Sequence, residues 1–525
     1  MRRFLSVLLF MRAALASSCD AEPLVLPLRD VQILGDNKQS LMRGIPAEVG
    51  TPPQKIVLLP WADLNNTIIY NSEPHCMNDT MYSEKSCMVE RGGLFNEKVS
   101  KSFTMTKNLI EAGGAPNETI FKGSVYGIKT LPEKSIGGID KLKLEGAVEV
   151  PKFSFGIPTS NWDDSHTTLS ALGLGRNSTY LNALRKAEKI TSRVWSIFWG
   201  QFGSEKPFDG SLMLGGYDEA KVPGKNYTAP LVYDHFDQAQ GCYTGMRVTV
   251  RDIKINFVGG TNASLFTAGT ALNFCIDPAH HLLMQAPTDV FDKFKTTAGV
   301  EGGHSTSDLH WMAFQPSKRK QFHGDLTFYL DSGLEIRVPN NQFVFPEAEI
   351  DKAGSRVYNQ TQQSILINDI EDEALILGRY FLTAAYLMVN QDAGTFTLWK
   401  ANVTEESKPV RVFDEKTGKK CGDKASGVIQ PSASSTAKPE NESQEGRTSP
   451  SGGVIGGIVV GSILGATVIA AGVYYALSQY RKRRMKKNTF YYYPAHGDMQ
   501  RSNVHEMDST SSPQAAKAER KIIVF

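Results

Sequence analysis

Hydrophobic and polar positions alternate in short runs along residues 24–403, and the runs end at Gly, Pro, Asn or Asp. Examples are KIVLLP (55–60), RVTVRDIKINFV (247–258) and GTFTLW (394–399). A period of two bounded by turn residues predicts β-strands, and a long succession of them predicts an all-β body. Helical spacing is confined to two short stretches, Tyr180–Glu188 and Thr288–Thr297.

A different hydrophobic pattern follows this body. Residues 454–477 carry no charge, and a helix of that length, rising ~1.5 Å per residue, crosses a hydrocarbon core of about 30 Å. The next block, Arg481–Lys487, is almost entirely basic, which places the C-terminus in the cytoplasm. The pattern predicts a single-pass type I protein of the plasma membrane or another secretory-pathway membrane.

Residues in and next to this predicted span favour two contacts, one with lipid and one with a second copy of the chain. The basic block Arg481–Lys487 favours anionic lipid head groups, although a stop-transfer role alone also explains it. Gly457, Gly461 and Gly465 share one helix face, which permits a close dimer contact. Glycines are also common in membrane spans without such a contact, so both interpretations stay open.

The ends of the chain have their own composition. Residues 1–16 combine Arg2 and Arg3, an apolar run and an A-x-A site, which is typical of a signal peptide. Residues 405–451 are rich in Ser, Pro, Thr, Glu and Lys, which predicts a disordered stalk. Residues 478–525 form a polar tail, predicted to be cytoplasmic.

Glycosylation motifs support this topology. All of the N-x-S/T motifs precede the predicted span, as expected when residues 24–403 lie outside the cytoplasm. The predicted glycosylation sites are Asn65, Asn78, Asn117, Asn177, Asn226, Asn262, Asn359, Asn402 and Asn441.

Composition and charge exclude several classes of function. A hydrophobic content of 41% allows a real core, and a net charge of +2 indicates no nucleic-acid partner. No zinc spacing, P-loop or dinucleotide motif is present, so we expect no metal and no cofactor.

Six cysteines fit an oxidising compartment. Cys76 is expected to pair with Cys87 and Cys242 with Cys275, while the pairing of Cys19 and Cys421 stays open.

Five motifs resemble those of the pepsin-like aspartic protease family (peptidase A1), in the family's order. Each is weak alone, but together they span the predicted β body in register. They are Gly50–Gln54 (GTPPQ), Leu172–Gly175 (LGLG), Trp195–Phe198 with Gly210–Asp218, Phe274–Leu283 and Leu375–Leu382. The resemblance to fungal-type, membrane-anchored members implies a bilobal acid protease fold, with lobe 1 at about 24–205 and lobe 2 at about 206–403. It also implies a cleft that binds an extended peptide.

The family's chemistry needs two carboxylates that share a proton, each in an Asp-Thr/Ser-Gly loop. The second loop keeps Asp277, but Pro278 and Ala279 replace the hydroxylic residue and the glycine. In the first loop, counting forward from Gln54 puts Trp61 at the aspartate position, whereas counting back from Tyr70 puts Asp63 there. The catalytic motifs are therefore degenerate, and Asp63 and Asp277 are the candidate catalytic pair.

The sequence leaves three hypotheses for the function. The leading hypothesis is a pseudoenzyme, a cell-surface glycoprotein whose cleft binds peptide or another ligand without cleaving it. The alternative is an active membrane-bound aspartic endopeptidase that uses Asp63 and Asp277. The third is a structural surface glycoprotein whose cleft has closed. A Tyr-Gly-Thr-Gly flap is missing, and Phe121–Gly127 occupies its neighbourhood without that pattern.

Overall fold

The structure is a computed structural model that describes residues 20–414, apart from 72–75, 77–82, 119–130, 160–168, 203–206, 234–241, 306–307, 318–320 and 370–373. The predicted signal peptide, span and tail lie outside these residues, as do most of the stalk, Cys19, Cys421 and the segment Phe121–Gly127. Within the described part of the chain, no helix has the length and apolar character needed to cross a membrane.

Most of the described chain is β-structure, which confirms the all-β prediction. The strands of the first half are β1 (Leu24–Gln32), β2 (Leu41–Val49), β3 (Gln54–Trp61), β4 (Thr104–Thr106), β5 (Ser135–Leu144), β6 (Val150–Pro158), β7 (Ser170–Gly173), β8 (Val194–Gln201) and β9 (Phe208–Leu214). The next strands are β10 (Gly216–Asp218), β11 (Asn226–Pro230), β12 (Arg247–Phe257), β13 (Asn262–Ser264), β14 (Leu272–Ile276), β15 (Met284–Ala286), β16 (Gly302–His304), β17 (Phe314–Pro316) and β18 (Gly324–Leu330). The last are β19 (Glu335–Val338), β20 (Val344–Ile350), β21 (Arg356–Ile365), β22 (Ile367–Asp369), β23 (Ile376–Leu377), β24 (Ala385–Asn390), β25 (Thr395–Lys400) and β26 (Pro409–Arg411).

Helices are few and short. The α-helices of the described residues are α1 (Glu84–Glu90), α2 (Leu131–Lys134), α3 (Thr179–Lys186) and α4 (Thr288–Ala298). Single 3₁₀ turns occupy Glu219–Lys221, Asp308–His310, Asn340–Gln342 and Phe381–Thr383. The two helices predicted from the sequence correspond to α3 and α4. Helix α3 begins where the Ser178 side chain accepts from the Leu181 N–H, and α4 ends at Gly299, whose φ is 66°.

One sheet joins the two halves of the chain. Strand β8 pairs with β9 on one side and with β24 on the other, so strands from both halves lie side by side. The boundary predicted near residue 205 therefore falls in the β8–β9 connection, inside this shared sheet. Each half adds its own strands: β2 to β7 in the first, and the sheets built on β12 and β21 in the second. The core between these layers is apolar, with Trp195 and Trp199 almost fully buried.

The folded body extends past the predicted start of the stalk at residue 405. Strand β26 pairs with β10, and Val412 is buried with its carbonyl accepting from the hydroxyls of Thr191 and Ser192. Asp414 forms an ion pair with Arg185. The boundary of the predicted stalk is corrected accordingly, because the polar segment 405–414 finds backbone and charge partners on the body that its composition does not show.

Both expected disulfides are present. Cys76 is bonded to Cys87 beside α1, and Cys242 is bonded to Cys275. Since Cys275 lies two residues before Asp277, the second bridge fixes the start of the second predicted catalytic loop.

Candidate active site

Two loops of similar build face the junction between the lobes. In each, a strand that leads into the loop pairs in parallel with a later strand that ends in glycine: β3 with β7 in the first lobe, and β14 with β23 in the second. These glycines, Gly173 and Gly378, pass close to the loop. A Cβ at either position would clash with a backbone carbonyl oxygen, that of Asn66 or that of Leu282 respectively.

These contacts settle the register of the first loop. Trp61 is the strand partner of Gly173, and Asp277 donates its N–H to the Leu377 carbonyl next to Gly378. The carbonyl that each glycine approaches lies five residues past Trp61 in one lobe and five past Asp277 in the other. Trp61 therefore takes the place that Asp277 has in the second lobe, and Asp63 follows two residues later. The forward count from Gln54 agrees with the structure.

Asp277 is a half-buried carboxyl held by its own loop. The Ala279 N–H donates to Asp277 Oδ1 at 2.8 Å. Burial raises the pKa of Asp277 to about 6, and the Ala279 N–H, the positive charge of Arg379 and the His280 N–H oppose the rise. Backbone support for a carboxylate thus survives the loss of the family's Thr/Ser and Gly.

Arg379 is a component of this loop that sequence reasoning missed. It follows the second glycine element directly, and its guanidinium donates to the carbonyls of Ala279 and His280. Burial lowers the pKa of Arg379 to about 10. Arg379 hydrogen-bonds carbonyls of the loop and not a carboxylate. Its positive charge is nevertheless close enough to Asp277 to lower the pKa of that carboxyl. Arg379 lies inside the motif Leu375–Leu382, which was the available signal, but the resemblance assigned it no role.

Asp63 is more deeply buried, with 6% of its surface exposed. Its pKa is raised well above the ordinary value, first by burial and then by the negative charge of Asp277, with a further contribution from Glu118. Within the described residues, Asp63 Oδ1 has no hydrogen-bond partner. The structure therefore brings the two predicted carboxyls into electrostatic range, and their surroundings favour the neutral form of Asp63.

Glu118 is a third buried carboxyl, which the sequence gave no reason to single out. It accepts hydrogen bonds from the backbone N–H groups of Asn65 and Asn66, and from Asn66 Nδ2 at 2.7 Å. Burial raises the pKa of Glu118 to about 7, while these three donors oppose the rise. The segment at Glu118 thus pins the first loop just past Asp63.

Asn65 ties the same loop to two further segments. Its Nδ2 donates to the Asn117 carbonyl at 2.8 Å, and its Oδ1 accepts from the Asn177 N–H at 2.8 Å. The residue is 2% exposed. An N-linked glycan needs that same nitrogen, so glycosylation at Asn65 is incompatible with this packing.

We therefore expect Asn65 to be unmodified in the folded protein. Asn117, Asn177 and Asn262 are exposed; Asn359 and Asn402 are exposed too, but their Nδ2 atoms donate to Glu347 and to the Ala220 carbonyl. Glycopeptide mapping of the protein from its native host checks this, with the exposed asparagines as internal controls. A glycan on Asn65 in folded protein would contradict the packing of the first loop.

Metal chemistry finds no ready site here. Among the described residues, no three His, Cys, Asp or Glu side chains are grouped so that they could hold an ion.

Comparison with known proteins agrees with this geometry. The family model for eukaryotic aspartyl protease matches residues 137–401, half of the chain. The chain belongs to this family. The matched residues include Asp277 but not Asp63, so the family's pattern is stronger in the second lobe than in the first.

Two members of the family from Saccharomyces cerevisiae are similar to the chain over most of its length. Barrierpepsin is 23% identical over 408 residues, which cover 71% of this chain and 62% of barrierpepsin. Aspartic proteinase 3 is 20% identical over 448 residues, which cover 73% of each protein. The chain therefore spans less than two thirds of barrierpepsin, and at this identity the site must be judged from its own residues.

Proposed function

We propose that this chain is a non-catalytic member of the aspartyl protease family whose inter-lobe cleft binds extended peptide without hydrolysing it. One observation carries the proposal: Trp61 stands opposite Gly173, where the second lobe places Asp277 opposite its own glycine. Hydrolysis in this family needs two carboxylates that face each other and activate one water between them. An indole at one of the two positions can neither accept the water's proton nor share one.

Asp63 does not replace the missing group in this account. Its carboxyl is buried, one of its oxygens has no partner, and its loop is fixed by Glu118 and by Asn65. Burial favours its neutral form, so Asp63 could act only as the acid of a pair, with Asp277 as the base. Strands β3 and β14 nevertheless lead into the two loops, and an extended peptide can add to strand edges through backbone hydrogen bonds.

A second candidate function is an active aspartic endopeptidase that uses Asp63 and Asp277. Its support is the electrostatic contact between them: the charge of Asp277 helps to keep Asp63 protonated. One ionised and one neutral carboxyl is the charge state that the family's mechanism needs. The two candidates differ in one respect, whether the peptide leaves the cleft cut or intact.

The first test of the proposal is peptide retention. Peptides from an unfolded substrate protein, incubated at about pH 5 with the purified protein, should be recovered bound and with unchanged termini. Mass spectrometry of the bound fraction gives the readout, and heat-unfolded protein serves as the control for adhesion. New termini would favour the endopeptidase, and failure to retain any peptide would contradict a binding function.

We further propose that the body is held outside the cytoplasm by the segment 454–477, with Arg481–Lys487 against the inner lipid surface. The support is the hydropathy of that segment and the position of every glycosylation motif before it. The glycopeptide map also tests this orientation, because complete absence of glycans on the exposed asparagines would contradict it.

A further inference from the structure

A cavity of about 410 Å³ lies between residues of both halves, and neither Asp63 nor Asp277 lines it. Its walls come from β2, the end of β8, the hairpin β20–β21 and the residues after Gly378. The residues that matter for the argument are Arg43, Trp199, Phe202, His310, Arg379 and Tyr380. This volume suits a small organic ligand or the end of a chain.

One side of the cavity is closed by a contact between the lobes. The tip of hairpin β20–β21 reaches the β1–β2 turn, where Asn37 Nδ2 donates to the Ala353 carbonyl at 3.1 Å and the Arg356 N–H donates to the Gln39 carbonyl at 2.8 Å. Arg356 also bonds Asp30 at 3.0 Å. The cavity is therefore a pocket that is bounded by both lobes and closed on this side.

The pocket carries an excess of positive charge. Three arginines line it, against the single carboxylate of Asp30 among its lining residues. Asp30 is bonded to Arg356 and is 4.0 Å from Arg43, at the limit of an ion pair. The Arg43 guanidinium otherwise donates to the carbonyls of Trp199 and Phe208, and Arg379 likewise donates to carbonyls. Asp209 and Asp277 act on these arginines only at longer range. Arg43 and Arg379 hydrogen-bond carbonyls and not carboxylates, so their charge is only partly compensated and favours an added anion.

Buried hydrogen-bonding atoms in the pocket lack a partner. Within the described residues, Arg43 Nε, Trp199 Nε1 and His310 Nδ1 make no hydrogen bond. The first two are donors. His310 is fully enclosed, and its Nε2 is bonded to the Tyr380 hydroxyl at 3.2 Å. Burial lowers the pKa of His310 to about 3, so the ring is neutral and adds no charge. Buried donors without an acceptor cost free energy, so the wall of this pocket is polar and incompletely hydrogen-bonded.

The rest of the pocket is aromatic. Phe202 stacks on Phe345 with ring centres 5.1 Å apart and meets Tyr380 edge-on at 5.1 Å. Arg43 lies over the Phe202 ring at 5.1 Å. Such a wall accepts an apolar body and leaves the arginines to bind its charged end.

We propose that this pocket binds a carboxylate attached to an aromatic or aliphatic group, with the Arg43 guanidinium as its principal donor. Two sources present this chemistry, a free organic acid and the C-terminus of a peptide with an apolar last residue. The pocket does not depend on the fate of a peptide at Asp63 and Asp277, so its failure and the failure of the proposed function are separate results.

The test measures binding by calorimetry with the purified full-length protein at about pH 6. The probes are 4-phenylbutyrate and its alcohol, 4-phenylbutanol, and the tetrapeptide Ala-Ala-Ala-Phe with a free or an amidated C-terminus. We expect at least one of the two free acids to bind with saturation below about 1 mM, and its neutral counterpart at least about tenfold more weakly. Binding by only the free acid or only the peptide acid identifies the source.

The variant Arg43→Met removes the guanidinium and its charge and keeps an unbranched apolar stem, and it should weaken binding of the acid at least about tenfold. Arg337→Met is the matched control, because Arg337 is exposed on β19 and remote from the pocket's lining. If Arg43→Met fails to fold, Gln360→Trp at the exposed rim tests the same pocket by obstruction and should abolish binding. No saturable binding of either acid, equal binding of the neutral probes, or unchanged binding in these variants would each overturn the proposal.

Discussion

Three buried carboxyls should contribute more stability to the folded body at pH 4 than at pH 7.5. Three buried carboxyls, Asp63, Glu118 and Asp277, have pKa values raised by burial in the folded state. A carboxyl whose pKa is raised on folding stabilises the fold fully below its unfolded pKa, and that stabilisation is lost as the pH rises through the folded pKa. The loss should begin near pH 4 and be largely complete for Glu118 and Asp277 just above pH 7, because their folded pKa values are about 7 and about 6.

The change in the free energy of unfolding between these pH values should be large. The change in the pKa of Glu118 from 4.5 to about 7 corresponds to about 3 kcal/mol of unfolding free energy. Urea unfolding at a series of pH values measures it. Glu118→Gln keeps an acceptor for the loop N–H groups but cannot ionise, so its stability should fall less steeply with pH. Glu335→Gln, at an exposed position on β19, should leave the slope unchanged. His310, whose folded pKa is lowered to about 3, acts in the opposite direction below about pH 6.5, because the unfolded chain then binds a proton that the fold does not. Comparison of the wild type with Glu118→Gln cancels that contribution, and equal slopes in the two proteins would contradict the raised pKa of Glu118.

Much of the fold could be predicted because its signals are local. Alternation along β3, β12 and β25 gave strands, and spacing gave α3 and α4 within two residues at each end. The sheet shared by the two lobes could not be derived from such patterns, because the β8–β24 pairing joins residues nearly two hundred positions apart. The order of the family's motifs supplied that information instead. The ordered segment 405–414 was missed since its polar residues are fixed by partners far away in sequence, such as Arg185 for Asp414.

Part of the candidate site was also predictable, where its signal is local in the sequence. Asp277 was found because the sequence after it keeps the family's spacing. The first loop was ambiguous between Trp61 and Asp63, and only the strand pairing with Gly173 resolves it. Glu118 had no signal, because its role depends on three donors from the loop at Asn65 and Asn66, about fifty residues earlier. Burial, which changes the chemistry of all three carboxyls, is a property of the packed chain.

The second prediction with a large expected effect is that the protein does not hydrolyse peptide bonds. An active enzyme of ordinary efficiency turns over about 10 times per second. With Trp61 opposite Gly173 and Asp63 neutral and pinned, we expect a rate at least about four orders of magnitude lower across about pH 3 to 6. For the same reason, Asp277→Asn should leave the residual rate unchanged, although it removes a buried carboxyl and alters the dependence of stability on pH.

The most direct test of the non-catalytic site is therefore a cleavage assay on an unfolded protein substrate at acid pH, with and without a pepstatin-type transition-state mimic. Wild-type protein and Asp277→Asn are compared, and an active pepsin-like protease serves as the positive control. We predict no cleavage above the background of buffer for either protein. Cleavage that the inhibitor blocks and that disappears in Asp277→Asn would contradict the account and assign the catalytic pair to Asp63 and Asp277.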